Sequence, residues 1–81
     1  MRQVKIIMAE YNKNRLVLTD LENEKELIIP IKYDKNYDMS LKDRAEKELF
    51  ERGIHVESFS RSFPSGVVYL VVDAYVELIK E

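Results

Sequence analysis

An 81-residue chain with 13 basic and 15 acidic residues, a net charge of −2 and a pI near 5.5 reads as one small domain, residues 1–81, with no electrostatic pole. It has no Cys, no Trp, one His and two Gly, which excludes disulfides, thiolate zinc sites and most glycine-rich phosphate cradles. Charge is balanced in both halves, seven of each sign in residues 1–40 and six basic against eight acidic in 41–81, so composition gives no support to a phosphate-binding surface.

Residues 4–11 read as a strand, with Val4, Ile6 and Met8 on one face and Lys5, Ile7, Ala9 and Tyr11 on the other. Asn12-Lys13-Asn14 is a turn signal, because Asn tolerates positive φ. Residues 15–21 alternate again, setting Leu16 and Leu18 against Val17 and Thr19. Residues 22–25 form the next turn. Leu27, Ile29, Ile31 and Tyr33 make a third stripe, and Pro30 within it marks an edge strand or a bulge. Three strands joined by tight turns predict an antiparallel meander.

A helix is predicted after Ser40. Ser40 is a good N-cap, Asp43 completes a capping-box-like S-x-x-D, and Gly53 stands where a left-handed residue ends a helix. Leu41, Ala45 and Leu49 form a narrow apolar stripe, while opposite charges four apart, such as Lys42/Glu46 and Glu48/Arg52, line the outer face. Phe50 lies about 100° from Leu49 on a helical wheel. Met39 points to a similar side, so both could cover the helix edge or meet a partner.

Residues 54–59 read as a strand leaving the helix, followed by a loop from Phe59 to Gly66. Residues 67–72, unbroken and apolar, read as the central strand. Residues 73–80 read as strand in preference to helix, because Val, Tyr and Ile favour extended chain, with a bend near Asp73. The expected fold is therefore α+β, in β-β-β-α-β-β order, with one helix packed on an antiparallel sheet.

The chemistry-bearing candidates are few. Asp20, Glu22, Glu24 and Glu26 crowd one turn, but they lack the glycine and the distant bidentate Glu of a calcium loop and read as a solvated turn. His55 shares a strand face with Glu57 and Phe59, yet no nucleophile motif accompanies it, so no catalytic residue, metal or cofactor is expected. Lys32, Lys35, Tyr33 and Tyr37 make a basic, aromatic stretch ahead of the helix. In the loop, Phe59 and Phe63 flank Arg61. Aromatic and Arg side chains dominate binding hot spots, although the same Phe residues could instead plug the edge of the core.

The function expected is a small, non-enzymatic protein-interaction or regulatory module. Its partner-binding residues are Phe59, Arg61, Phe63, Phe50 and Met39. A nucleic-acid-associated accessory protein is the alternative, with nucleic acid the less favoured partner. A chain this short buries only about 60% of its unfolded surface, and with disulfides and metals set aside, self-association remains as added support. A homodimer is therefore weighed beside the monomer. No apolar run approaches the roughly 20 residues of a membrane span. Residues 1–8 are broken by Lys5 and do not read as a signal peptide. A cytoplasmic protein is expected, and the abundance of Lys, Glu, Asn, Ile and Tyr is compatible with an AT-rich bacterial or phage genome.

Overall fold

The computed structural model describes residues 3–30, 40–62 and 66–78. Hydrophobic alternation drives three strands near the start of the chain, β1 (Val4–Asn12), β2 (Arg15–Asp20) and β3 (Lys25–Pro30). They are followed by α1 (Leu41–Glu51), β4 (Ser58–Ser62) and β5 (Val67–Asp73). The strands form one fully antiparallel sheet in the order β3-β2-β1-β5-β4. The fold is thus the α+β arrangement expected from the sequence, one helix on a five-stranded antiparallel sheet.

Among the described residues the main core lies on one face of the sheet. Ile7 and Ala9 from β1, Leu16 and Leu18 from β2, and Val68, Leu70 and Val72 from β5 point toward α1 and are buried. The helix supplies Ala45 and Leu49 to this core and packs chiefly over β1. Ile54 after the helix and Leu78 after β5 complete the layer. Burying apolar area of this kind contributes about 25 cal/mol per Å² and is the main force holding the two layers together.

The ends of α1 follow the sequence signals. The Ser40 hydroxyl accepts from the Asp43 N–H at 3.2 Å, supplying a partner to one of the donors left open at a helix start. At the other end Gly53 adopts φ +78°, its N–H donates to the Phe50 carbonyl, and the Ile54 N–H donates to the Leu49 carbonyl. These are the paired bonds of a Schellman motif, and the buried Ile54 and Leu49 provide its apolar contact. Ion pairs close between Lys42 and Glu46 at 2.7 Å and between Arg52 and Glu48 at 3.0 Å.

Several expectations are corrected. The central strand is β1, not β5, which lies second from one edge. The unbroken apolar run of β5 does not reflect burial on both faces, since its residues alternate between buried and half-buried. Its odd-numbered residues face the open side of the sheet, and apolar residues there left the run without a polar break. The fourth strand begins at Ser58 rather than at residue 54, so Phe59 and Arg61 belong to a strand and not to a loop. From residue 74 to residue 78 the chain does not continue as strand. The Asp73 carboxylate accepts from the Tyr75 N–H at 2.8 Å and its carbonyl accepts from the Val76 N–H at 3.1 Å, closing a turn at the expected bend. In the first hairpin the positive φ, +58°, falls on Lys13 and not on either Asn.

Candidate functional site

Three of the five residues expected to bind a partner lie along one side of the molecule, where the edge strand β4 runs beside α1. Phe59 and Arg61 sit two apart on β4 and share the face that carries Leu70 and Val68 of β5. That face is the one covered by the helix, yet β4 lies at its margin. Phe59 is therefore neither a core plug nor a free side chain, and 47% of it remains exposed. Phe50 projects from the last turn of α1 and is 74% exposed. Phe63 and Met39 lie outside the described residues, as do Lys32, Lys35, Tyr33 and Tyr37.

Lys42 links these aromatics and was not singled out from sequence. Its ammonium stands 4.7 Å from the centre of the Phe59 ring, and the Arg61 guanidinium carbon stands 5.9 Å from the same ring. Both distances fit cation–π attraction. Lys42 is also held by Glu46 at 2.7 Å, and that hydrogen bond raises its pKa above the ordinary value against the opposing effect of desolvation. Arg61 has no ion-pair partner among the described residues. From sequence Lys42 looked like one more member of a solvated helix face. Only the placement of β4 beside the helix start brings it over an aromatic ring.

The surface on either side of Lys42 is concave. One cleft of about 320 Å³ is lined by Lys42, Glu46, Phe50, Ile54, His55 and Val56. A smaller one of about 130 Å³ runs between Ser40, Leu41, Arg61 and Val68. The segment joining α1 to β4 builds the first cleft by alternation, with Ile54 buried, His55 exposed and Val56 half-buried. His55 is thus a wall of an open cleft. Among the described residues no group of His, Asp and Glu is arranged to hold a metal ion.

A second polar feature lies beneath the sheet. Lys5 shares its face with Ile7 and Ala9, and Asp20 shares its face with Leu16 and Leu18, so register places both charges inside the core layer. They form an ion pair of 2.7 Å with side chains 2% and 3% exposed. Lys5 also donates to the Val76 carbonyl, tying the segment after β5 to the sheet. Asp20 accepts from the N–H groups of Glu22 and Asn23 at 3.0 and 3.1 Å and from the Asn23 side chain at 3.0 Å. Burial pushes the Asp20 carboxyl up, but the hydrogen bonds from Lys5 and Asn23, with the Lys5 charge, outweigh it and hold the pKa below its ordinary value. Every partner of this pair is supplied from within the chain, so it acts as a structural clasp. The solvated-turn reading of the four carboxylates therefore fails for Asp20, although Glu22, Glu24 and Glu26 are exposed.

Comparison with protein-family models, with curated proteins and with solved structures gave no match. Among the described residues no helix is long and apolar enough to cross a membrane.

Proposed function

We propose that the chain is a small, non-enzymatic interaction module of the cytoplasm that binds a partner protein along β4 and the adjoining side of α1. The observation that carries this reading is Arg61, a cation without an ion-pair partner among the described residues, set beside a half-exposed Phe59 on an edge strand. Among the described residues β4 pairs only with β5, so its outer N–H and C=O groups are available to an added strand. An extended partner segment could pair there, burying an apolar side chain against Phe59 and presenting a carboxylate to Arg61. Phe50 and the cleft beneath it would extend the contact along the helix. Apolar burial supplies affinity in such an arrangement, and the guanidinium supplies direction.

The test is a nuclease-treated pull-down from lysate of the source organism, comparing wild type with a triple variant, Phe50→Ser, Phe59→Ser and Arg61→Ala. All three side chains are at least partly exposed, so the variant should keep a native far-UV CD spectrum while losing the captured protein. Equal capture by both forms would sink the reading.

The cation–aromatic platform of Lys42, Phe59 and Arg61 favours one second reading, stacking of a single-stranded base on Phe59 with both cations near phosphate. Salt separates the two. A phosphate-dominated complex weakens steeply between low and moderate salt, whereas an apolar protein contact does not.

A further inference from the structure

The smaller cleft beside α1 joins two chemistries at one mouth. Its walls are apolar: Val68 is 3% exposed, and Leu41 and Val67 are half-buried. Its rim carries two cations, Lys42 and Arg61, and no carboxylate lies among the described residues that line it. The two cations are not equivalent. The Lys42 ammonium already meets Glu46 at 2.7 Å and Asp43 at 3.6 Å, and both of those residues line the larger cleft instead. The Arg61 guanidinium has no ion-pair partner among the described residues. The Phe59 ring, 5.9 Å away, attracts its charge while leaving its N–H groups open to an acceptor.

The cleft selects a ligand that carries an anion and a short alkyl group close together. About 130 Å³ suits one aliphatic side chain, well below the roughly 300 Å³ at which pockets for drug-sized ligands begin. An Asp or Glu side chain brings the anion without an alkyl branch. A free aliphatic amino acid brings both, but also an ammonium, for which no described carboxylate lines the cleft. The last residue of a polypeptide has its carboxylate and its side chain on one carbon, and an uncharged amide in place of the ammonium. Arg pairs with a carboxylate through two parallel N–H···O bonds, which fixes the orientation of such a terminus. Capture of a terminal carboxylate is also a recurring mode of peptide recognition.

We propose that the partner of the β4–α1 side presents its free C-terminus, with the terminal carboxylate on Arg61 and a terminal Val, Leu or Ile side chain between Leu41, Val67 and Val68. This rests on the reading of that side as a protein-binding surface and names the part of the partner it takes.

Fluorescein-labelled hexapeptides, random at five positions and ending in Val, test this as free acids and as C-terminal amides, read by polarisation. Wild type should bind the free-acid pool about ten-fold more tightly than the amide pool, the worth of one charge-assisted hydrogen bond. Arg61→Gln should erase the difference, and Lys25→Gln, on the opposite edge strand β3, should keep it. If Arg61→Gln fails to fold, the comparison of acid with amide on wild type decides the question. Equal binding of the two pools, or binding of neither, overturns the proposal, as does an acid preference that survives Arg61→Gln. Competition by free valine as strong as by N-acetylvaline overturns it in favour of a free amino acid. The two readings fail separately. Equal pools beside a pull-down that loses its partner in the triple variant overturn the terminal-carboxylate site alone and leave an internal segment as the ligand. Equal capture in the pull-down beside an Arg61-dependent acid preference sinks the lysate-partner reading and supports the site.

Discussion

Removing the carboxylate of Asp20 would leave the Lys5 ammonium inside the core layer with only the Val76 carbonyl to meet it. Breaking a buried pair from one side costs about 3–5 kcal/mol, because the surviving charge is desolvated and uncompensated. A domain of this size has about 4–12 kcal/mol in total. Asp20→Ala should therefore lower the urea midpoint drastically or unfold the chain outright. Asp20→Asn together with Lys5→Met should cost much less, since an amide oxygen can still accept from the Glu22 and Asn23 N–H groups while no charge is left buried. The same carboxylate sets an acid limit. Its folded pKa lies below the ordinary 3.8, so the folded state holds the ionised form more tightly than the unfolded chain does. That stability is fully present above pH 3.8 and is lost as pH falls through the lower folded value. Chemical denaturation from pH 5 downward should show wild-type stability falling in this window, with a shallower fall in the doubly substituted form.

Each hairpin and helix end depends on one or two backbone positions. At Gly53 a methyl group would meet nothing within 4 Å, so the cost of a side chain there is conformational and not steric crowding. With φ at +78°, Gly53→Ala should destabilise by about 1 kcal/mol, and Asn at the same position by less, because Asn tolerates the left-handed region. Urea denaturation of the two variants checks the order. The left-handed positions of the first two hairpins, Lys13 and Glu24, carry ordinary side chains. Turn chemistry could locate these hairpins in the sequence but could not say which residue would take the strained conformation. That choice is set by the pairings on either side, Asn12 with Arg15 and Asp20 with Lys25.

The whole molecule is a two-layer structure in which one helix covers one face of a sheet that has two. Strand order decides the rest of its character. Because β5 returns to pair with β1, the strands on either side of the helix in sequence become one sheet, and β4 is carried to the edge beside the start of α1. That placement turns Phe59 and Arg61 from an expected loop into a strand margin, and gathers Lys42 and Phe50 to the same side. It also leaves Ile6, Met8, Tyr69 and Val71 together on the open face. The strand alternation read from β1 separated those positions correctly from Lys5, Ile7 and Ala9, but alternation does not say which face a helix will cover. The more apolar-looking stripe, Val4, Ile6 and Met8, turned out to be the open one, and the stripe containing a lysine became the core.

The sequence by itself determined the order of strands and helix, the boundaries of α1 and the meander of β1 to β3. These follow from local physics, namely apolar periodicity, the Ser40 cap, the Gly53 stop and short polar turns. It also determined the absence of thiol and disulfide chemistry. Only the tertiary structure decided which sheet face is buried, that Lys5 and Asp20 neutralise each other inside it, and that Phe50, Phe59, Arg61 and Lys42 line one side. Those outcomes depend on contacts between residues far apart in the chain, such as Lys5 with Asp20 and Lys42 with Phe59. Side-chain alternation is symmetric between the two faces of a strand, and that symmetry is broken only when the helix packs.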